Sequence, residues 1–142
     1  MHIADLMTTN PITDAADATA STAAKIMRDH DLGSLPVVNK DRLVGFITDR
    51  DIIVRCVAND GDCSSRPISE IMSPEIFCCR DEQTPQEVME LMAIRQVRRL
   101  PVVDANERLV GIVSIGRIAE AGDQPEAVCS TIKAVRQTTD AE

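Results

Sequence analysis

The segment Ser34-Leu35-Pro36-Val37-Val38, followed after a polar turn by Leu43-Val44-Gly45-Phe46-Ile47-Thr48, returns later in the chain. Its second form is Arg99-Leu100-Pro101-Val102-Val103 and then Leu109-Val110-Gly111-Ile112-Val113-Ser114. One supersecondary unit is therefore written twice, and equal apolar patterns bury equal faces. Ile3 and Ile68, Met7 and Met72, Met27 and Met92, and Pro36 and Pro101 each stand about 65 residues apart. From Leu43 to Leu109 and from Gly45 to Gly111 the step grows to about 66 residues. The added residue falls in the turn Asn39-Lys40-Asp41-Arg42 against Asp104-Ala105-Asn106-Glu107-Arg108. A surface turn accepts an insertion that a packed strand would not. The expected division is residues 1–60 for the first copy, 61–69 for a Gly-, Ser-, Pro- and charge-rich linker, 70–122 for the second copy and 123–142 for a C-terminal helix and tail.

Each copy reads β-α-β-β-α, an α+β arrangement. A short helical turn ends near Met7 or Met72, and a brief extended piece follows around Pro11-Ile12-Thr13 or Ile76-Phe77-Cys78. The long helix of the second copy has a strong start. Thr84 is the N-cap, Pro85 takes the first position and Glu87 completes a capping box. Val88, Leu91 and Met92 then recur at helical spacing, and Ala20, Ala23, Ala24 and Met27 do the same in the first copy with smaller side chains. A hairpin of β-branched strands follows, apolar on both faces, and then a second helix from Asp49 or near Gly116. In the first copy that helix is expected to run through Val57. After Gly122, Pro125 opens a last helix with Val128, Ile132 and Val135 on one face, placed either to cap the core or to meet a partner. One such unit has a thin core alone, so the two copies are expected to pack pseudo-symmetrically through their sheets and leave a cleft between them.

Composition narrows the function. A net charge of -8 without any basic cluster argues against nucleic acid and acidic membrane surfaces. The N-terminus Met1-His2-Ile3-Ala4-Asp5 does not read as a signal peptide, and no apolar stretch approaches a membrane span. Phe46 and Phe77 are the only aromatic residues, so a bound flat ring would rest on aliphatic walls. Five cysteines at irregular spacing read as free, mostly buried thiols in a reducing cytoplasm, and the adjacent Cys78-Cys79 as a weaker redox candidate. His2 and His30 lack metal-ligand or triad context, and no Gly-rich phosphate loop or nucleophile elbow is present. The reading is therefore a binding protein and not an enzyme, with no metal and no obligatory cofactor.

The chemistry concentrates at Gly45-Phe46-Ile47-Thr48-Asp49-Arg50-Asp51, where a strand passes directly into a helix. Helix N-termini favour anions. Thr48 and Asp51 are spaced as a capping pair, and equally as a hydroxyl beside a carboxylate that accepts two ribose hydroxyls. Taken together, Leu-Pro-Val-Val, a polar turn, Leu-Val-Gly, and then Thr48-Asp49-Arg50-Asp51-Ile52 resemble a tandem CBS-domain pair, the Bateman module, over roughly residues 3 to 121. The chain looks most like the small stand-alone bacterial two-CBS proteins.

The resemblance implies regulation by an adenosine-containing ligand: AMP, ADP, ATP or S-adenosylmethionine. It implies that Asp51 holds the ribose, that Thr48 and Arg50 lie on the phosphate side, and that Ile12, Thr13, Leu35, Pro36 and Val37 line the adenine pocket. The second copy departs from the pattern. Ser114 matches Thr48, but Arg117 replaces Asp51, and an arginine has no acceptor for a ribose diol. Arg117 is left either to contact phosphate or to pair with an acid. Arg98 and Arg99 are read as cationic heads toward the cleft or solvent, and Phe77 and Cys78 as pocket wall or core. The family also implies a homodimer, for which Ile52, Ile53, Val57, Ile118 and Ala119 form a candidate apolar face, and a client protein in trans. Two further readings stay open: an interaction scaffold that binds no nucleotide, and a cysteine redox sensor.

Overall fold

Capping chemistry fixes where the long helices begin. Thr84 Oγ1 accepts from Glu87 N–H at 3.2 Å, while a Glu87 carboxylate oxygen lies 3.4 Å from Thr84 N–H, the reciprocal pair expected from the sequence. Thr19 Oγ1 accepts from Thr22 N–H at 3.3 Å in the first copy. The computed structural model describes residues 1–122 and 124–140, with side chains as far as residue 135. A 3-10 turn over Ile3–Asp5 precedes strands β1 (Thr8–Thr9) and β2 (Asp14–Ala15), helix α1 (Ala20–His30), and the hairpin of β3 (Ser34–Asn39) and β4 (Arg42–Thr48). Helix α2 (Asp49–Arg55), a second 3-10 turn over Val57–Asn59 and helix α3 (Ile68–Ile71) complete the first half. The second half holds β5 (Cys79–Arg80), α4 (Pro85–Arg95), the hairpin of β6 (Arg99–Val103) and β7 (Leu109–Ser114), α5 (Ile115–Ala121) and α6 (Pro125–Asp140).

Two sheets form, ordered β2-β3-β4 and β1-β7-β6-β5. In each, a short strand runs parallel to the first hairpin strand, with Asp14 opposite Val37 and Cys79 opposite Val102. These pairings begin just after Pro36 and Pro101, so the prolines interrupt no ladder. The short strands lie one or two residues beyond the extended pieces read from the sequence.

The chain divides into two compact units, one of Ile12–Ile76 and one of Met1–Pro11 with the chain from Phe77 onward. Each copy's leading segment thus pairs with the other copy's hairpin. Thr8 stands opposite Ile112, and Ser73 N–H donates to Phe46 O at 3.0 Å. This crossing explains the glycine of the repeated Leu-Val-Gly. A Cβ on Gly45 would lie 2.6 Å from Met72 Sδ and 2.9 Å from Ser73 O, and one on Gly111 2.6 Å from Met7 Sδ and 2.8 Å from Thr8 O. Only a residue without a side chain lets backbone cross this closely.

The core of the 12–76 unit gathers Ala20, Ala23 and Met27 of α1 with Leu35, Val37, Ile47, Ile52, Cys56, Ile68 and Ile71. Ala24, expected on the buried face, is exposed, and Ile26 is the partly buried neighbour instead. The small side chains of α1 admit residues 63–68 alongside it. Ser21 N–H donates to Cys63 O at 2.8 Å and Ala20 N–H to Arg66 O at 2.9 Å, which satisfies donors that the helix start leaves unpaired.

In the other unit, Val88, Met89 and Met92 of α4 pack with Leu100, Val102, Val113, Ile115 and Ile118. Helix α6 closes this core with Val128 buried and Ile132 partly buried against it, so of the two roles open to it the capping one is observed. Ile52 and Ile118 are only 7% and 4% exposed, and the expected exposed apolar face loses both to the cores. Ile53, Val54 and Val57 remain exposed. Helix α2 also ends earlier than expected, at Arg55, where the chain tightens into the 3-10 turn over Val57–Asn59, which left-handed Asp60 closes at φ 57°. Among the described residues no helix is long and apolar enough to cross a membrane.

Candidate functional site

Strand β4 delivers Thr48 in an extended conformation to the first turn of α2. Thr48 Oγ1 accepts from Asp51 N–H at 3.0 Å, and Asp51 Oδ2 accepts from Thr48 N–H at 2.9 Å. Asp49 N–H donates to Gly33 O at 2.9 Å and Arg50 N–H to Asp49 Oδ1 at 2.8 Å. The donors of the first turn are thus committed inside the protein, and the helix start is a weaker anion site than its position suggests. What stays open is Asp51 Oδ1. Among the described residues its partner is Arg55 Nε at 4.0 Å, and the Asp51 side chain is 15% exposed. A carboxylate held by one oxygen and presenting the other is able to accept hydroxyl donors. Arg55 itself is anchored, since its Nη1 donates to Ile71 O and Met72 O, each at 3.2 Å.

The other residues read from the sequence fall at graded depths. Leu35 and Val37 have no exposure and belong to the core, and Pro36 is buried between them. Thr13 is half-buried and Ile12 is 38% exposed, both just ahead of β2, the strand beside β3. The Arg50 side chain is exposed.

The second copy keeps the helix start without the acid. Ser114 Oγ accepts from Arg117 N–H at 3.1 Å, and Ile115 N–H donates to Arg98 O at 2.9 Å. Arg117 Nε donates to Leu6 O at 3.2 Å, and its Nη1 lies 3.5 Å from Glu120 Oε2, so it pairs with an acid. Leu6 is the counterpart of Ile71, and Ala121 stands where Arg55 does. Arg117 therefore performs from the first turn of α5 the backbone anchoring that Arg55 performs from the last turn of α2. Arg98 and Arg99 are both exposed.

Phe77 and Cys78 are half-buried, and the Arg95 guanidinium sits 4.7 Å over the Phe77 ring. Burial pushes the Cys78 thiol up, and it pushes Cys79, which donates to Pro101 O at 3.7 Å, to about 12. Thiols so disposed are poor nucleophiles at neutral pH. Sequence reasoning passed over Arg55, although its spacing of four from Asp51 is a signal for a helical ion pair. It also passed over a contact between Cys56 and Cys63, whose Sγ atoms lie 3.0 Å apart. Among the described residues no three His, Cys, Asp or Glu side chains converge as a metal centre requires.

The CBS domain model of protein families matches the chain twice, over residues 3–57 and 68–123. The chain belongs to the CBS-domain family. The CBS domain-containing protein YhcV of Bacillus subtilis is 41% identical over 117 residues, 82% of this chain and 82% of that protein. Hypoxic response protein 1 of Mycobacterium tuberculosis is 38% identical over 119 residues, 82% of this chain and 81% of that protein. The crystal structure of Hypoxic Response Protein I with two coordinated zinc ions is similar with a TM-score of 0.78 at 35% identity, covering 84% of this chain and 98% of that one. The CBS domain pair of protein MJ0100, solved with 5-methylthioadenosine and S-adenosyl-L-methionine, gives a TM-score of 0.74 at 28% identity, over 89% of this chain and 98% of that one. Both CBS repeats thus contain a strand-to-helix junction of the kind described, at Thr48 and at Ser114, while Cys63 and Arg66 lie between the matched segments.

Proposed function

We propose that this CBS pair is a regulatory protein whose 12–76 unit takes an adenosine-containing ligand (AMP, ADP, ATP or S-adenosylmethionine) with its ribose diol on Asp51. The observation that carries the reading is the divided carboxylate, with Oδ2 fixed by Thr48 N–H and Oδ1 facing no strong partner among the described residues. The second copy serves as an internal control. It starts α5 with Ser114 alone, so the fold does not need an acid at that position. The adenosine compounds bound by the MJ0100 pair support the ligand class.

In this reading Thr48 and Arg50 flank the phosphate or its equivalent, Ile12, Thr13 and the β3 backbone meet the base, and Arg117 leaves its own junction unable to hold a ribose. Binding, not catalysis, is the activity. Ligand shifts the chain toward the arrangement that binds it better, and a homodimer partner or a client in trans that senses that arrangement is coupled to it. The exposed Ile53, Val54 and Val57 suit such a contact. Five free cysteines suit a reducing cytoplasm.

A second reading rests on the same capping box, which accounts for Thr48 and Asp51 without any ligand and leaves a scaffold. Melting of the whole chain with each of AMP, ADP, ATP and S-adenosylmethionine separates the two. A ligand-dependent rise in Tm that Asp51→Ala abolishes supports the sensor, and no rise with any of the four leaves the scaffold.

A further inference from the structure

Cys56 ends α2 fully buried, and Cys63, half-buried, lies where the chain turns back to anchor α1. Their Sγ atoms stand 3.0 Å apart. The turn between them is tightly built. Gly61 N–H donates to Cys56 O at 2.8 Å, Asp60 is left-handed, and a Cβ on Gly61 would lie 3.1 Å from Cys56 Sγ and 3.4 Å from Arg66 Nη1. The two sulfurs and the Arg66 guanidinium therefore crowd one small space. Closing the sulfurs to a covalent bond requires about 1 Å of approach, within reach of side-chain rotation. Neither thiol is used by the ligand site, and the Cys78-Cys79 pair offers nothing comparable.

We propose that Cys56 and Cys63 are a reversible dithiol–disulfide pair, oxidised by a peroxide, that clips the end of α2 to the segment holding the start of α1. Cys63 is the more accessible sulfur and attacks first. A sulfur lone pair takes one peroxide oxygen, the O–O bond breaks, and the other oxygen leaves as water with the thiol proton, giving a sulfenic acid on Cys63. The Cys56 sulfur then attacks the Cys63 sulfur. The S–S bond forms, the S–O bond breaks, and a second water leaves with the Cys56 proton. Two thiols lose two electrons in total, and the peroxide gains them. A dithiol reductant reverses the bond. Cys56 takes the second step because its Sγ already stands 3.0 Å from Cys63 Sγ, while the Cys63 thiol and burial, which raise its pKa, make it the poorer sulfur for the first attack on peroxide. The Arg66 charge opposes that shift and assists loss of the proton when the bond forms. The crosslink joins Cys56, the C-cap of the helix that begins at Asp51, to Cys63, whose carbonyl accepts from Ser21 N–H.

The test uses the whole reduced chain treated with hydrogen peroxide at pH 7. The expected result is a mass loss of about 2 Da under non-reducing conditions, reversed by dithiothreitol, for the two hydrogens removed. Cleavage before Asp60 or Asp62 should then leave the Cys56 and Cys63 fragments joined until reduction. The oxidised chain should melt higher by on the order of 5 °C, as closure of a short loop predicts. Cys63→Ser, a change at a half-buried site, should remove both the mass loss and the Tm rise. Oxygen addition on cysteines with the two fragments separable, a crosslink that maps to Cys78, Cys79 or Cys129, or a mass loss that persists in Cys63→Ser overturns the proposal. Fragment mapping on the unsubstituted chain decides even where the variant folds poorly.

Discussion

Substituting Asp51 by alanine and by asparagine separates two roles that share one side chain. Asp51→Ala removes the acceptor of Thr48 N–H, a bond of 2.9 Å in a half-buried setting. Loss of half a capping box costs about 1 kcal/mol, and a partly exposed pair such as Asp51–Arg55 at 4.0 Å adds at most about 0.5 kcal/mol. For a chain of 142 residues that corresponds to a fall in Tm of about 3–5 °C. Asp51→Asn keeps a carbonyl oxygen for the Thr48 N–H and should cost only about a third of that. Binding should follow a different order. Each hydrogen bond to a charged acceptor contributes about 1.5 kcal/mol or more, so losing both ribose contacts in Asp51→Ala weakens affinity about 100-fold. Asp51→Asn keeps shape and loses charge, and should weaken affinity about 10-fold while barely moving Tm. Calorimetric titration with the ligand that raises Tm most, beside thermal melts of the unliganded variants, reads both quantities. If both variants bind as the unsubstituted chain does while Asp51→Ala melts lower, Asp51 is a helix cap and the ribose assignment fails.

Gly45→Ala and Gly111→Ala each drive a Cβ to within 2.9 Å or less of a backbone carbonyl, and should destabilise by about 2–3 kcal/mol, read by urea unfolding. Arg117→Ala should cost about 1 kcal/mol through the lost bond to Leu6 O, and Ala121→Arg in the same chain should restore part of it, checked by a double-mutant cycle. The Thr84 hydroxyl and N–H hold the Glu87 carboxyl below its ordinary pKa. Its contribution is therefore complete above the unfolded carboxylate value and lost as pH falls through the lowered folded value. The gap in Tm between the unsubstituted chain and Glu87→Gln should be present at pH 7 and should shrink as the pH is taken down below the ordinary carboxylate range.

Where a residue's role is decided by its neighbours along the chain, the sequence announced it. The Thr84–Glu87 box and the starts of α2 and α5 at Thr48 and Ser114 follow from contacts three residues long. Roles set by distant contacts were harder to read. In the run Ile52-Ile53-Val54, apolar character alone does not say which member faces the core, and only Ile52 does. The exchange of leading segments was hidden because both hairpins carry the same Leu-Val-Gly, so Thr8 and Ser73 could pair with either by local chemistry. The turn at Asn59-Asp60-Gly61-Asp62 is legible in the sequence, but the Cys56–Cys63 contact it creates is not, because that depends on how the chain returns after left-handed Asp60. At the candidate site, Asp51 was legible by motif. The commitment of the first-turn N–H groups was not, since Gly33 O reaches Asp49 from another element.

The two junctions differ by a coupled exchange and not by one lost acid. In the first, the position three residues after the cap is acidic, and the arginine that anchors Ile71 O and Met72 O stands four residues later, at Arg55. In the second, the arginine occupies the acidic position and anchors Leu6 O from there, and Ala121 fills the later place. The anchoring of each leading segment is thus preserved, because a carbonyl at the end of a short helical turn still needs a donor. A guanidinium is long enough to supply it from either turn. Once Arg117 supplies it, the junction holds a cation where the other holds a half-free carboxylate, and the two cannot take the same group of one ligand. Replacing Arg117 by aspartate alone would therefore create an acceptor and orphan Leu6 O together, so the asymmetry between the repeats is held in place by the fold itself.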